Sequence, residues 1–362
     1  MRPGIFVVGP SRSGTNLVRA LLNKHSEMWI GAETHYFDDL RPRLGTGART
    51  PLEGEQRDET ERYFLALGHR PYMYGGNPDE SSLDRDELRR LAGELGGSGD
   101  AYFEAYCSLR ARGRGRPHWG EKTPRHVYRI DEILEAFPDG KVVCLIRDPR
   151  AVVASNRDWH RARPRENQHF PEARAADQLR AKRSYNIVLV SLLWRSAVRS
   201  SYDALRRHGP DRILLQRFER LAGDPAAELP RLCEWLGLPY EPGMLEIPVV
   251  NSSYQSADEV QGVSVEPVDR WRSLLSEREV GIVQGVAGDL LDELGYERLP
   301  VQASPLEVGL AWASVGPATV RAAIANRDRL GRVGQYVRRR AVPALSRHRV
   351  SQAALRNGSP PL

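Results

Sequence analysis

The N-terminal segment constrains the fold most strongly, because an apolar run of strand length leads into a glycine-bounded polar loop and then into a helix. Residues 4–9 (GIFVVG) have the length and composition of a buried strand. The polar loop holds four residues between Gly9 and Gly14. The apolar residues that follow recur on one side of a helix: Leu17, Val18, Leu21 and Leu22. This order predicts the opening unit of a parallel α/β sheet.

Later segments repeat the same alternation of strands and helices. Residues 141–146 (KVVCLI) and 212–217 (RILLQR) have the pattern of buried strands. The pair Asp148-Pro149 has the form of a helix start, with Asp as the N-cap and Pro in the first turn. Helices are also expected at 185–205 and 225–236. We therefore predict a P-loop-like, three-layer α/β fold with a central parallel sheet flanked by helices.

The 362 residues divide into an expected main domain, 1–300, and a basic C-terminal extension, 301–362, that is partly helical or disordered. Two insertions, near 34–118 and 157–183, are expected to form the acceptor side of a site, the second as a long loop or lid. Their aromatic and Arg side chains would suit a polar ring or a saccharide: Tyr36, Phe37, Asp38, Arg41, Arg43, Trp119, Trp159 and Arg161.

Positive charge is concentrated at the C-terminus. Residues 304–362 hold ten Arg, no Lys, one Asp and one Glu, a charge of +8, whereas the whole chain carries +6. The remaining residues therefore sum to −2, which argues against a nucleic-acid binder. The extension could contact anionic lipid, nucleic acid or an acidic carrier, or it could be a solvated extension that packs on its own domain, and we expect it to lack a strong apolar face.

The localisation expected from the sequence is cytoplasmic. The longest uncharged run near the C-terminus, 308–320, has thirteen residues, whereas a membrane span takes roughly 18 or more apolar residues, so no transmembrane helix is expected. Three scattered cysteines predict neither a disulfide framework nor a zinc site.

The glycine-bounded loop has the form of a phosphate site, because a strand, a glycine turn and a helix present backbone N–H groups to an anion. A Walker A loop has Lys and then Ser or Thr after its second Gly, whereas Thr15 and Asn16 follow Gly14 here. A cation, Arg12, lies inside the loop instead. The pattern disfavours an ATP or GTP phosphotransferase and leaves open a glycine turn without a ligand.

Four segments resemble, in the right order over residues 4–295, the sulfotransferases that use 3′-phosphoadenosine 5′-phosphosulfate (PAPS). Residues 10–17 (PSRSGTNL) resemble the 5′-phosphosulfate loop of that family. Residues 145–155 (LIRDPRAVVAS) are similar to its 3′-phosphate motif, residues 218–239 to the segment after its third strand, and Arg270-Trp271 to its late basic–Trp pair. The motif style is closest to the tyrosylprotein-type branch, in a chain of bacterial character.

The resemblance implies which residues bind the nucleotide. Residues of the loop would hold the 5′-phosphate: Arg12, Ser13, Gly14, Thr15 and Asn16. Arg147 and Ser155 would bind the 3′-phosphate, Phe218 would stack near adenine, and Arg270 would face the phosphates. PAPS carries a second phosphate that ATP lacks, and an Arg at a strand end beside a helix N-terminus is suited to bind it. Surface or core roles for these side chains remain the alternative.

The same resemblance implies a catalytic set. Glu33, in the sequence Gly-Ala-Glu-Thr, would be the base, with His35 as its rival because histidine titrates near neutrality. Lys122, one of only four Lys beside 49 Arg, would contact the transferred group. Ser256 would contact the bridging region, and no metal is expected.

The sequence thus predicts transfer of a sulfuryl group from PAPS to a hydroxyl of a small-molecule, saccharide or lipid acceptor by in-line displacement, with release of 3′-phosphoadenosine 5′-phosphate (PAP). Two alternatives stay open: a P-loop kinase with a degenerate Walker loop, and a catalytically silent module that binds nucleotide or a membrane surface. The sequence fixes neither the acceptor nor the oligomeric state.

Overall fold

Five short parallel strands form the centre of the computed structural model, which describes residues 4–69, 83–161, 171–247, 262–301 and 303–326. The strands are β1 (Ile5–Val8), β2 (Met28–Gly31), β3 (His118–Lys122), β4 (Lys141–Ile146) and β5 (Ile213–Arg217). They lie in the order β2-β3-β1-β4-β5, and every neighbouring pair is parallel. The central parallel sheet predicted from the sequence is confirmed.

Helices connect the strands and cover both faces of the sheet. Before β3 they are α1 (Thr15–Leu22), α2 (Tyr36–Asp39), α3 (Arg41–Leu44), α4 (Gly54–Leu65), α5 (Arg85–Glu94) and α6 (Gly99–Arg112). Between β3 and β5 they are α7 (Ile130–Ala136), α8 (Pro149–Asp158), α9 (Pro171–Ser184) and α10 (Ile187–His208).

The remaining helices follow β5. They are α11 (Phe218–Gly223), α12 (Pro225–Leu236), α13 (Glu266–Asp269), α14 (Trp271–Leu274), α15 (Glu277–Ala287), α16 (Asp289–Glu293), α17 (Pro305–Ala313) and α18 (Val315–Ala325). Short 3₁₀ turns lie at Gly45–Ala48, Ala66–His69, Pro124–Tyr128, Trp159–Arg161 and Pro242–Leu245.

The alternation of side chains along β1 builds two separate cores. Phe6 and Val8 point into an aromatic-rich core formed with α4, α6 and α7. Ile5 and Val7 point to the opposite face, where they pack with α1, α11 and α12. Because both faces are covered, the strand is an uninterrupted apolar run, which is the pattern that made it recognisable in the sequence.

Aromatic residues of the first insertion lie in the core and do not line an acceptor site. Tyr36, Phe37 and Trp119 are buried with Phe6 and Phe103, and their rings meet at centroid distances of 5.1–6.3 Å. The expectation that these three residues contact the acceptor is therefore wrong. The insertion needs its own aromatic core because it packs a group of short helices onto one face of a small sheet.

The second insertion is also more regular than predicted. Its C-terminal part is helix α9, whose composition favours helix, so the expected loop over 157–183 is wrong for residues 171–183. Residues 162–170 of that insertion lie outside the described residues.

The C-terminal extension begins as a helical segment. By length and composition alone, the segment Pro305–Ala325 could cross a membrane. Of its most apolar stretch of 18 residues, 11% is buried inside the protein. The sequence analysis expected no transmembrane helix because it counted only the uncharged run between Glu307 and Arg321, whereas the helical segment extends beyond both charges.

Substitution of Gly120 tests the sheet packing directly. A Cβ atom at Gly120 would lie 2.3 Å from Ile30 Cδ1 and 2.6 Å from the Ile5 carbonyl oxygen, so β1, β2 and β3 would have to separate. We expect Gly120→Ala to lower the free energy of unfolding by about 3 kcal/mol in a denaturant titration. Gly285→Ala is the matched control, because it faces open space within α15 and should raise that free energy by about 0.5–1 kcal/mol. Equal effects would contradict this packing.

Candidate functional site

A predicted site residue lies at or just beyond the carboxyl end of each of the five strands. The loop 9–14 follows β1, Glu33 lies two residues after β2, and Lys122 is the last residue of β3. Arg147 follows β4 directly and Phe218 follows β5. In open α/β sheets ligands bind outside the carboxyl ends of the strands, so the topology alone brings these segments to one edge.

The loop after β1 is shaped by local hydrogen bonds. The amide and the hydroxyl of Ser13 both donate to the Pro10 carbonyl, and the Gly9 amide donates to the Pro124 carbonyl across the strand edge. Gly9 has φ 144°, Arg12 has φ 73° and Gly14 has φ 100°, so the loop takes a positive φ three times. The predicted phosphate contact Ser13 is fully buried, where its side chain fixes the turn.

The turn opens onto the start of α1. Thr15 and Asn16 occupy the first helical positions, where backbone N–H groups have no acceptor within the helix and carry the positive end of its dipole. A Cβ atom on Gly14 would lie 2.4 Å from Phe218 Cδ2, so this position accepts only glycine. The backbone thus forms a cradle of the kind that holds a phosphate group.

Arg147 connects the second anion site to the loop. Its Nη1 donates to the Arg12 carbonyl over 2.9 Å, and its Nη2 donates to the Pro267 carbonyl over 2.5 Å. The guanidinium lies 4.2 Å above the centre of the Phe218 ring. Trp194 Nε1 donates to the Arg147 carbonyl and holds its backbone in place.

Ser155 completes this arrangement from the second turn of α8. It is buried, and its Oγ accepts a hydrogen bond of 3.1 Å from Arg12 Nε. Arg12, which belongs to the loop predicted for the 5′-phosphate, therefore contacts both residues predicted for the 3′-phosphate: Arg147 through its carbonyl and Ser155 through its side chain. The residues of the two predicted phosphate sites thus lie side by side.

Glu33, Lys122 and His35 form a second cluster at the ends of β2 and β3. Lys122 Nζ lies 2.6 Å from Glu33 Oε1, and His35 Nε2 lies 3.3 Å from Glu33 Oε2. Burial would raise the pKa of Glu33, but the Lys122 ammonium, together with His35, holds that pKa well below its usual range. Burial and the nearby Arg125 lower the pKa of His35 despite the opposing influence of Glu33.

The structure adds one residue that sequence reasoning missed. Glu121 has no exposed surface, and its Oε1 accepts hydrogen bonds of 2.9 Å from both the amide and the hydroxyl of Thr34. Thr123 Oγ1 donates to the same oxygen, and His126 Nδ1 lies 3.3 Å from Oε2. This carboxylate fixes the segment that carries Glu33 and His35. A charged residue beside the rare Lys122 was the available signal.

Two predicted site residues remain, Arg270 and Ser256. Arg270 pairs with Glu266 over 3.0 Å, in the segment whose Pro267 carbonyl contacts Arg147. Ser256 lies outside the described residues. In the part of the chain that the structure describes, no group of three or more His, Cys, Asp or Glu side chains could hold a metal ion.

The chain is similar to enzymes that differ in their acceptors. Protein-tyrosine sulfotransferase A of Caenorhabditis elegans is 24% identical over 311 residues, which cover 82% of this chain and 67% of that protein. Carbohydrate sulfotransferase 1 of Danio rerio is 24% identical over 349 residues, which cover 81% and 77%. The omega-hydroxy-beta-dihydromenaquinone-9 sulfotransferase Stf3 of Mycobacterium tuberculosis is 27% identical over 181 residues, which cover 49% and 41%.

A profile of the sulfotransferase family matches residues 3–242. That range includes all five strands, the loop after β1 and both clusters described above. With two thirds of its length matched, this chain belongs to the sulfotransferase family.

Proposed function

We propose that this protein transfers the sulfuryl group of PAPS to an acceptor hydroxyl and releases PAP. The observation that carries the proposal is the position of Arg12, which contacts Arg147 through its carbonyl and Ser155 through its side chain. A phosphate on the loop and a second phosphate at Arg147 and Ser155 would therefore be neighbours, as the two phosphates of one nucleotide must be. The family membership supports sulfuryl transfer and argues against the kinase alternative.

The donor would bind by contacts with backbone and cations. The 5′-phosphosulfate would lie on the amides at the start of α1, with the Arg12 side chain beside it. The 3′-phosphate would be bound by Arg147 and Ser155, which requires Arg147 to exchange a carbonyl partner for a phosphate oxygen. Phe218 is buried in the core, and its ring supports the Arg147 guanidinium from one side, so it would act on the 3′-phosphate through Arg147.

The reaction would be one in-line displacement. The acceptor oxygen forms a bond to sulfur while the bond between sulfur and the bridging phosphate oxygen breaks, and that oxygen leaves with the electron pair. Glu33 takes the proton of the acceptor hydroxyl. Lys122 and Arg12 offset the negative charge that develops on the leaving oxygen and the sulfonate, which is the largest contribution that side chains can make here.

The acceptor class and the compartment are further parts of the proposal. The names of the three relatives give a protein tyrosine, a carbohydrate and a hydroxylated menaquinone, so we keep a small molecule, a saccharide or a lipid hydroxyl as the acceptor. We propose that the enzyme works in the cytoplasm, a setting compatible with its three free, buried cysteines.

Binding of PAP tests the paired anion sites. We expect calorimetry without magnesium to show binding that Arg147→Ala weakens by about 10- to 100-fold, because a charge-assisted contact to the 3′-phosphate is lost. Arg206→Ala removes an exposed Arg on α10 that pairs with Asp203, and it should leave the affinity unchanged. Binding of ATP that depends on magnesium, with no binding of PAP, would instead favour the kinase alternative.

Substitution of the two candidate bases separates their roles. Glu33→Gln keeps the size of the side chain but removes its basicity, so turnover should fall by about 10²–10⁴-fold while the affinity for PAP stays within about twofold. His35→Asn should reduce turnover far less. Near-normal turnover of Glu33→Gln with a large loss in His35→Asn would transfer the role to His35. Retained PAP binding without turnover on any hydroxyl acceptor would indicate the silent module.

The pH profile reports the pairing of Glu33 with Lys122. Because the pKa of Glu33 is held low, the carboxylate stays ionised through neutral and mildly acidic pH, and kcat/KM should show no acidic limb from this group between about pH 5 and 8. Removing the ammonium in Lys122→Met lets burial dominate and raises the pKa, so an acidic limb should move into that range in the residual activity. Lys24→Met, at an exposed Lys, is the matched control and should keep the original profile.

A further inference from the structure

The helical segment 305–325 exposes a continuous apolar stripe. Helices α17 and α18 join at Ser314, whose backbone stays in the right-handed helical region. Apolar residues follow one another along the outer face at intervals of four and three residues: Leu306, Leu310, Ala313, Pro317, Val320 and Ile324. The exposed fractions of Leu306, Leu310, Val320 and Ile324 are 72, 57, 60 and 65%. The expectation that the extension lacks a strong apolar face is wrong.

The opposite face of the segment is attached to the rest of the protein. Ala311 and Ala318 are buried, and Ala311 packs with Val188, Ile282 and Val286 of α10 and α15. Exposure of the stripe is therefore a consequence of how the segment is held, since rotation of the segment would break this packing.

Polar contacts fix the same orientation at several points along the segment. At its start Glu307 lies 3.4 Å from Arg278. In the middle Asn186 Nδ2 donates to Ser314 Oγ over 2.8 Å, and near the end Arg180 Nε donates to the Ala325 carbonyl over 2.8 Å. Six apolar residues in one row, four of them exposed Leu, Val or Ile, are more than scattered surface residues, and a surface of this kind marks a contact.

The charge of the chain beyond the segment indicates what the stripe contacts. Residues 327–362 contain nine Arg, no Lys, no Glu and one Asp, a charge of +8, whereas residues 1–326 sum to −2. A second copy of this chain would add a further charge of +8, which opposes association of the two copies. An anionic surface would instead attract this charge, and each Arg close to it would add to the binding.

We infer that this face docks on an anionic lipid bilayer, with the stripe in the acyl boundary. Segment 305–325 is about 30 Å long, which would suffice to cross a bilayer. It lies in the interface instead, because the face bearing Ala311 and Ala318 packs against α9, α10 and α15 along its length. Trp312, which is 46% exposed on the same helical segment, has the amphipathic ring that interfaces favour. This surface is independent of the proposed sulfuryl transfer.

Vesicle co-sedimentation of the full chain tests the inference. We expect binding to vesicles of phosphatidylcholine and phosphatidylglycerol (70:30) at least about tenfold tighter than to phosphatidylcholine alone, and weaker binding at high salt. The triple variant Leu306→Gln, Leu310→Gln and Ile324→Gln should lose about tenfold or more. Replacing Arg338, Arg339 and Arg340 by Gln should reduce both the binding and its salt dependence.

Leu193→Gln is the matched control, since Leu193 is 41% exposed on α10 away from the stripe and should leave vesicle binding unchanged. Circular dichroism and PAP binding establish that each variant is folded. Absence of wild-type binding to the anionic vesicles, or unchanged binding of the stripe variant, would overturn the inference. So would light scattering that shows a dimer which the stripe variant dissociates while vesicle binding persists, because the stripe would then be an interface between copies of the chain.

Discussion

The geometry of the proposed reaction depends on a carboxylate that does not take part in it. Glu121 and Lys122 are consecutive residues at the end of β3, so the alternation of the strand sends their side chains to opposite faces. Glu33 and Thr34 are also consecutive, and each contacts one member of that pair. The segment after β2 is thereby joined to the end of β3 at two adjacent positions, and Glu33 has little freedom to leave Lys122.

Burying Glu121 would be costly without its partners. A carboxylate without exposed surface is stabilised here by three donors from Thr34 and Thr123, with His126 beside its second oxygen. Burial would raise its pKa, but His126 and these hydrogen bonds hold the pKa of Glu121 below its usual range. All three donors meet at Oε1, so loss of any one of them weakens the stabilisation of a charge that has no exposed surface, and Thr34 and Thr123 are under a strong constraint to keep their places.

The elements that sequence analysis recovered are those whose signals are local. β1, β4 and β5 are apolar runs, α8 starts with Asp-Pro, and the loop is bounded by glycines. β2 (MWIG) and β3 (HWGEK) were not predicted, and β3 contains two charged side chains that interrupt the apolar pattern of a buried strand. Both are strands because of their neighbours in the sheet, which a sequence window does not contain. The aromatic residues of the first insertion were misassigned for the same reason, since only the packed structure shows that Tyr36 and Trp119 are covered.

The candidate site, too, could be predicted only in part from the sequence. The family resemblance named Glu33 and Lys122, but their contact joins residues 89 positions apart and needs β2 beside β3. A carboxylate whose pKa lies so low is a weak base while the ammonium is bound to it. In the proposed reaction Lys122 is drawn toward the leaving oxygen as negative charge develops there. Its withdrawal would raise the basicity of Glu33 as the acceptor hydroxyl becomes more acidic, so one lysine can couple departure of the phosphate to removal of the proton.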